Sequence, residues 1–231
     1  MRIAIVSDIH GNRTALEAVA ADVRSLSPDL ILHGGDLADG GPDPAGVVDL
    51  IREFGWRGVL GNTDEAHTCP QSLEEFTGQS GAPASLWAAI REMAAWTRER
   101  LNDDRIAWMS TLPLVHRGED FALVHASPAD PWRTAVDGAF AVLGAPVVVH
   151  GHIHRSFIRH SGGFVLVNAG SVSLSYDGDP RASYVLIDRG KPSIRRVVYD
   201  VEREIAALSV CGMPHAEWMI RTLRAAAPQM P

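Results

Sequence analysis

The sequence predicts an α/β fold, built on a parallel or mixed sheet with a second sheet packed against it. Three observations carry this. The first sixty or so residues alternate short β-branched runs with amphipathic segments, the order strand, helix, strand, helix, strand. The second half is richer in strand patterns than the first. No repeat, low-complexity tract or long linker interrupts the 231 residues, enough chain for one domain to bury ample core.

Residues 3–6 form a short apolar run closed by polar residues, the pattern of a buried strand. Asn12 caps a helix in which Leu16, Val19, Val23 and Leu26 recur at helical spacing, and Pro28 ends it. Residues 30–32 form a second strand, closing at Gly34-Gly35-Asp36. A polar loop over 39–44 leads into a helix carrying Val47, Val48 and Ile51, with Asp43 and Asp49 as capping or solvated residues. Val59 and Leu60 make a third strand, ending at Gly61-Asn62. Residues 63–81 read as polar and irregular, and 84–110 as helical, with Trp87, Ile90, Trp96, Leu101 and Trp108 supplying bulk. Strands follow at 121–125, 147–150, 164–168, 184–188 and 194–199, and helices at 202–210 and 215–226.

Twenty-one basic against twenty-eight acidic residues give a formal charge of −7. That sign opposes non-specific binding to nucleic acid or anionic membrane, and with no basic stripe it also disfavours a nuclease. The two cysteines, Cys69 and Cys211, cannot form a disulfide framework, which fits a reducing compartment. The N-terminal apolar run is too short for a signal-peptide core, and no apolar segment is long enough to span a bilayer. The expectation is a soluble cytoplasmic protein.

Five short segments carry the chemistry, each just after an expected strand: Asp8-Ile9-His10-Gly11-Asn12, Gly34-Gly35-Asp36, Gly61-Asn62-Thr63-Asp64, Val124-His125 and Gly151-His152-Ile153-His154. Ligands bind at the carboxyl ends of strands in open α/β sheets, so the five can converge on one crevice. D-x-H and H-x-H place two ligands at i and i+2, one side of an extended segment. Two carboxylates, one amide and four imidazoles, with no thiolate, suit Mn, Fe, Zn, Co or Ni better than Ca. Seven ligands are too many for one tetrahedral ion; they suit two ions if one carboxylate bridges.

In their order and spacing these motifs resemble the calcineurin-like metallophosphoesterases, in particular the small bacterial and archaeal phosphodiesterases. Asn168-Ala169-Gly170-Ser171-Val172, then Asp177-Gly178 and Ala182-Ser183-Tyr184, resemble that subfamily's own signature. The resemblance covers most of the chain. It implies a four-layer α/β/β/α sandwich of two mixed sheets flanked by helices, with a mainly helical insertion or cap about 83–111. It implies that Asp8, His10 and His154 hold one divalent ion, that Asn62, His125 and His152 hold a second, and that Asp36 bridges. Mn is the expected metal, with Fe, Zn, Ni or Co as competitors. The implied reaction is in-line attack of a metal-bridging hydroxide on a small phosphodiester or nucleotide, with Asn62 and Asp36 in catalytic roles. Many relatives carry a His after the metal-binding Asn to protonate the leaving group; here Thr63 stands there, and Asp64 and His67 are the nearby candidate donors.

Other residues are weighed against plainer roles. Arg13, Arg133 and Arg155 adjoin the motifs and are candidate phosphate contacts, although each is also an ordinary surface charge. His150 is a candidate for orienting another imidazole, whereas His33, His116, His160 and His215 read as structural. The tryptophans of 87–108 read as packing, or as a cap over the crevice, before they read as a base-stacking platform. A phosphomonoesterase on the same site and a non-catalytic, protein-binding scaffold, as the retromer scaffold subunit is on this fold, are the alternatives. A homodimer is the commonest state for a small soluble enzyme.

Overall fold

The computed structural model describes residues 1–231. Two five-stranded mixed sheets lie face to face. The first runs in the order Lys191–Val197 (β10), Ala182–Asp188 (β9), Arg2–Val6 (β1), Leu30–His33 (β2) and Arg57–Gly58 (β3). Its β1, β2 and β3 are parallel, with Ile5 opposite Leu32, and β9 pairs antiparallel to β1, with Ile5 opposite Val185. The second runs Val115–Arg117 (β4), Phe121–Val124 (β5), Val147–His150 (β6), Phe164–Asn168 (β8) and Phe157–Ser161 (β7), with β5, β6 and β8 parallel.

The alternation of side chains along each strand builds the layers. Ile3 and Ile5 of β1 point inward with Leu32, Val185 and Ile187, and meet Phe121, Leu123, Val147, Val149 and Val167 of the second sheet. Ala4 and Val6 point outward, under Leu16, Val19 and Val23 of Arg13–Ser25 (α1) and Val47, Val48 and Ile51 of Pro44–Glu53 (α2). Both helices start as the sequence indicates: Asn12 Oδ1 accepts from the Ala15 N–H at 2.8 Å, and Asp43 Oδ1 from the Gly46 N–H at 2.9 Å. The outer face of the second sheet is covered only by a 3-10 helix, Asp137–Leu143, through Phe140 and Leu143. The fourth layer is therefore thin.

Residues 63–81 are not irregular. They form Asn62–Thr68 (α3) and Pro70–Gln79 (α4), separated by Cys69, whose φ of −139° breaks the helical run. Only Ala66 and Leu73 are buried apolar positions there, packed beside Ala94 of Ala84–Met109 (α5), so the apolar stripe is too sparse to read from sequence. Helix α5 is itself two pieces, kinked where Asn102 adopts φ 57°. The edge strands β4 and β7 also escape the pattern, being half-exposed and paired on one side only. The third strand sits at 57–58, not 59–60: beyond one hydrogen bond from the Val59 N–H to His33, the chain peels away and Leu60 donates to Pro113. Val201–Val210 (α6) and Ala216–Ala225 (α7) close the chain, packed on Met93 and Trp96 of α5.

Ile5→Ala, in the fully buried layer between the sheets, is expected to lower unfolding free energy by about 2–5 kcal/mol in a urea titration. Val198→Ala, at a 77% exposed side chain, stays within about 0.5 kcal/mol of the parent.

Candidate metal centre

All five motifs lie at or just beyond the ends of β1, β2, β3, β5 and β6, parallel strands of the two sheets, with Asn62, Thr63 and Asp64 forming the first turn of α3. The two carboxyl edges lie side by side, so the loops meet. They are not extended segments, as the i, i+2 spacing suggests. Asp8, His10, Asp36, His152 and His154 all have φ between 50° and 70°, a left-handed conformation that costs a non-glycine residue about 1–2 kcal/mol. Hydrogen bonds hold them there. The Asp8 N–H donates to Gly35 O at 3.0 Å, the His10 N–H to Asp36 O at 3.0 Å, and the His152 N–H to Asp8 Oδ1 at 3.0 Å. The tightness of this packing fixes two glycines. A Cβ on Gly151 would lie 2.3 Å from Asp8 Oδ2, and one on Gly61 2.2 Å from Asp36 Oδ1. The 168–173 segment locks the same turn from behind: Ser171 Oγ donates to Asp8 O at 2.7 Å and the Val172 N–H to Ser7 O at 3.0 Å.

The side chains then present acceptor to acceptor. His10 Nδ1 faces Asp39 O at 2.5 Å and His154 Nδ1 faces Leu174 O at 2.7 Å, so in the neutral rings both Nδ1 atoms donate and both Nε2 atoms carry lone pairs. Those two Nε2 atoms are 3.1 Å apart, and His154 Nε2 lies 3.2 Å from Asp8 Oδ1. The second group repeats the arrangement. His125 Nδ1 is satisfied by Gly34 O at 2.7 Å, leaving Nε2 aimed at Asn62 Oδ1 at 2.9 Å, and His152 Nδ1 also lies 2.9 Å from Asn62 Oδ1. Asp36 spans the groups, with Oδ2 3.7 Å from His10 Nε2 and Oδ1 3.5 Å from His125 Nε2. One ligand atom from each of Asp8, His10, Asp36 and His154 fits within 4.8 Å. Where carbonyls fix the tautomers, at His10, His154 and His125, facing acceptors in a buried site are reconciled only by a cation between them, a proton or a metal ion. The donors present fit two divalent ions.

Electrostatics favour the metal-binding protonation state. Burial, and then the neighbouring His154, hold His10 below the usual histidine range. Burial and His125 push His152 down to about 4. Burial acts to raise Asp8, but His154 beside it more than offsets this and keeps it below the usual carboxylate range. His125 moves the other way, Asp36 and Asp8 outweighing its burial, so a metal ion bound there would displace a proton.

The structure gives other expected residues different places. Asp64 is a clamp: Oδ2 accepts from the N–H groups of Asp36 at 2.8 Å and Gly61 at 3.0 Å, and Oδ1 from Leu37 at 2.9 Å. It does not reach the crevice and has no free edge for a leaving group. His67 Nε2 is buried against Asp39 Oδ1 at 3.1 Å, behind His10, and does not line the crevice either. Arg13 points to the surface, paired with Glu17 and Asp43. Arg155 donates to Tyr176 O at 3.0 Å, away from the centre. Arg133 stacks on Phe76, bonds Gln79, and lines grooves outside the cavity, one of them reaching His152. His150 packs between Phe140 and Phe157 and lies 3.2 Å from Asn168, whose amide donates to Gly151 O. It touches no candidate ligand ring. His33, His116 and His215 pack on or pair with Trp108, Phe121 and Glu92, and His160 lies on the edge strand β7.

A cavity of about 340 Å³ opens onto His10, Asn62, His152 and His154. Its walls come from α3, α4, the first half of α5 and α7, so Trp87 lines it whereas Trp108 belongs to the core over the first sheet. Asp39, Phe76, Trp132, Tyr176 and Trp218 also line it. Spacing gave no sign of these five, although Asp39 lies three residues beyond Asp36 and Tyr176 directly precedes Asp177-Gly178.

Asp64→Ala strips the partner from three buried backbone N–H groups, each worth about 1–3 kcal/mol when left unpaired. The expected result is a loss of several kcal/mol in chemical unfolding. A free proton donor at this position would instead leave stability intact.

No helix is long and apolar enough to cross a membrane. The model of the calcineurin-like phosphoesterase superfamily domain matches residues 1–191. An uncharacterized protein of Methanocaldococcus jannaschii is 30% identical over 242 aligned positions, covering 94% of this chain and 95% of that one. A symmetrical bis(5′-nucleosyl)-tetraphosphatase of Methylococcus capsulatus is 31% identical over 139 positions, covering 58% of this chain and 45% of that one. The crystal structure of a metallophosphoesterase from Sphaerobacter thermophilus superposes with a TM-score of 0.80 at 27% identity, covering 98% of this chain and all of that one. The matched model, the two-sheet architecture and the convergent Asp/His turns agree: the chain belongs to the calcineurin-like phosphoesterase superfamily and is a phosphoester hydrolase.

Proposed function

We propose that this chain is a dinuclear, metal-dependent phosphodiesterase acting on a small phosphodiester. Asp8, His10 and His154 hold one ion, Asn62, His125 and His152 hold the other, and Asp36 bridges. The observation that carries this reading is the opposition of His10 Nε2 and His154 Nε2 at 3.1 Å and of His125 Nε2 and Asn62 Oδ1 at 2.9 Å, with Asp36 presenting one oxygen to each group and His152 beside the second. A mixed carboxylate, amide and imidazole set without thiolate favours manganese, with iron, zinc, nickel and cobalt as competitors. Two such ions, when bound, polarise a phosphoryl oxygen and lower the pKa of water to near neutrality.

The chain's own groups do the rest. The carbonyls of Asp39, Leu174 and Gly34 fix the imidazole tautomers and orient the rings. The Thr63 N–H donates to Asp36 Oδ1 at 2.9 Å, setting the bridging carboxylate. With Oδ1 of Asn62 turned to the imidazoles, its amide N–H groups are free to donate to a phosphoryl oxygen.

A cavity of this size takes a small molecule rather than a phosphorylated protein loop, and no lysine or arginine lines it to meet the second charge of a monoester. Both points favour a small diester. The tetraphosphatase relative keeps nucleotides among the candidate substrates. The unpaired cysteines Cys69 and Cys211 fit a reducing, cytoplasmic setting.

With Mn²⁺ restored to metal-stripped protein, bis(p-nitrophenyl) phosphate is expected to turn over faster than p-nitrophenyl phosphate, and Asp36→Asn to lose at least about 10²-fold. Faster monoester turnover would make the protein a phosphomonoesterase; no turnover with any of the five metals would remove the enzymatic reading. Thr63 supplies no acid near neutral pH, so rates are expected to fall steeply as the leaving alcohol becomes less acidic. Thr63→His is expected to recover up to about 10²-fold for the poorest leaving groups, read as a flatter dependence on leaving-group pKa.

A further inference from the structure

Resting on the phosphodiesterase reading, the lining of the cavity points further, to what the phosphate carries. Five aromatic side chains, Phe76, Trp87, Trp132, Tyr176 and Trp218, stand around it, and Leu73 and Leu174 fill between them. Its polar groups are few and largely taken. The Trp132 indole N–H donates to Glu65 and the Trp218 indole N–H to Gln229 O at 2.8 Å, both turned away from the space. The Asp39 carboxylate lies 3.1 Å from His67 Nε2. What remains is the Thr63 hydroxyl and the Trp87 N–H, both buried without partners, and the Tyr176 hydroxyl.

A nucleobase carries several donors and acceptors on its edges, and each left unpaired in such a space weakens binding by about tenfold or more. A polyphosphate chain fits worse, because no lysine or arginine lines the walls. An uncharged apolar group meets neither cost and gains from every atom it buries. We infer that the ester group held in this cavity is apolar, a hydrocarbon or aryl alcohol, and that the phosphate alone supplies the polar recognition.

Alkyl(methyl)phosphinates test this without turnover, since they carry the single charge of a diester and neither C–P bond is hydrolysed. Calorimetric Kd values for dimethyl-, butyl(methyl)-, hexyl(methyl)- and phenyl(methyl)phosphinate are measured on the Mn²⁺-supplemented protein beside a thymidine analogue carrying methylphosphinate on its 5′ carbon. Kd is expected to fall about two- to fourfold per methylene. The phenyl compound is expected to bind at least about tenfold more tightly than the dimethyl compound, and the thymidine analogue no more tightly than the dimethyl compound. Trp87→Ala is expected to shrink the hexyl-to-methyl ratio at least about threefold. A series flat within twofold, tighter binding of the thymidine analogue than of the hexyl compound, or no binding of any member overturns the inference. Metal-dependent cleavage of bis(p-nitrophenyl) phosphate, measured separately, decides the phosphodiesterase reading by itself, so the two can fail independently.

Discussion

The architecture turns on one constraint: imidazole, amide and carboxylate acceptors are held facing one another inside the protein. Left alone, such atoms repel and lose their hydration. They stay together because each imidazole is tied by its other nitrogen or its own backbone: Nδ1 of His10, His125 and His154 to carbonyls, and the His152 N–H to the carboxylate of Asp8. The turns carrying them are tied in the same way. Asp64 joins the second and third motifs, and Ser171 joins the first to the end of β8. Five left-handed residues are the visible cost of this arrangement, and they gather at the place where a bound cation would offset it.

Much of this was legible in the sequence. Buried parallel strands read as β-branched runs, and the polar residues that follow them gather at the carboxyl edge. The identity of Asp8, His10, Asp36, Asn62, His125, His152 and His154 therefore pointed to one crevice before any coordinate did. Their geometry was not legible. A non-glycine residue gives no sign that it will adopt positive φ, so D-x-H and H-x-H read as extended when they are turns. Adjacency in sequence also misled. Arg13 and Arg155 sit one to three residues from ligands yet point elsewhere, because a helix or turn rotates neighbours to different faces. Asp64 read as a chemical group because its three backbone partners belong to turns that only the tertiary fold assembles. The helices α3 and α4 were hidden by a sparse apolar stripe, and that is a consequence of their position: one face looks into a cavity rather than a core.

The molecule separates its two tasks. Ligand-bearing turns are anchored in the sheets, where burial is greatest and displacement costs most. The cavity walls belong to helices added around that edge, α3 to α5 and α7, and to Trp132. Side chains there can change without disturbing the acceptor cluster, which is the general way one fold serves different substrates. On the proposed reading the overall charge of −7 would not oppose an anionic substrate, because two bound divalent ions would bring about +4 against −2 from Asp8 and Asp36.

The central claim is that seven residues form one site for two ions, and the most direct measurement is a Mn²⁺ titration of metal-stripped protein, with binding stoichiometry and electron paramagnetic resonance read together. The account predicts two ions per chain and a spin-coupled signal from ions sharing the Asp36 bridge. A single uncoupled Mn²⁺ per chain, or none, would contradict it.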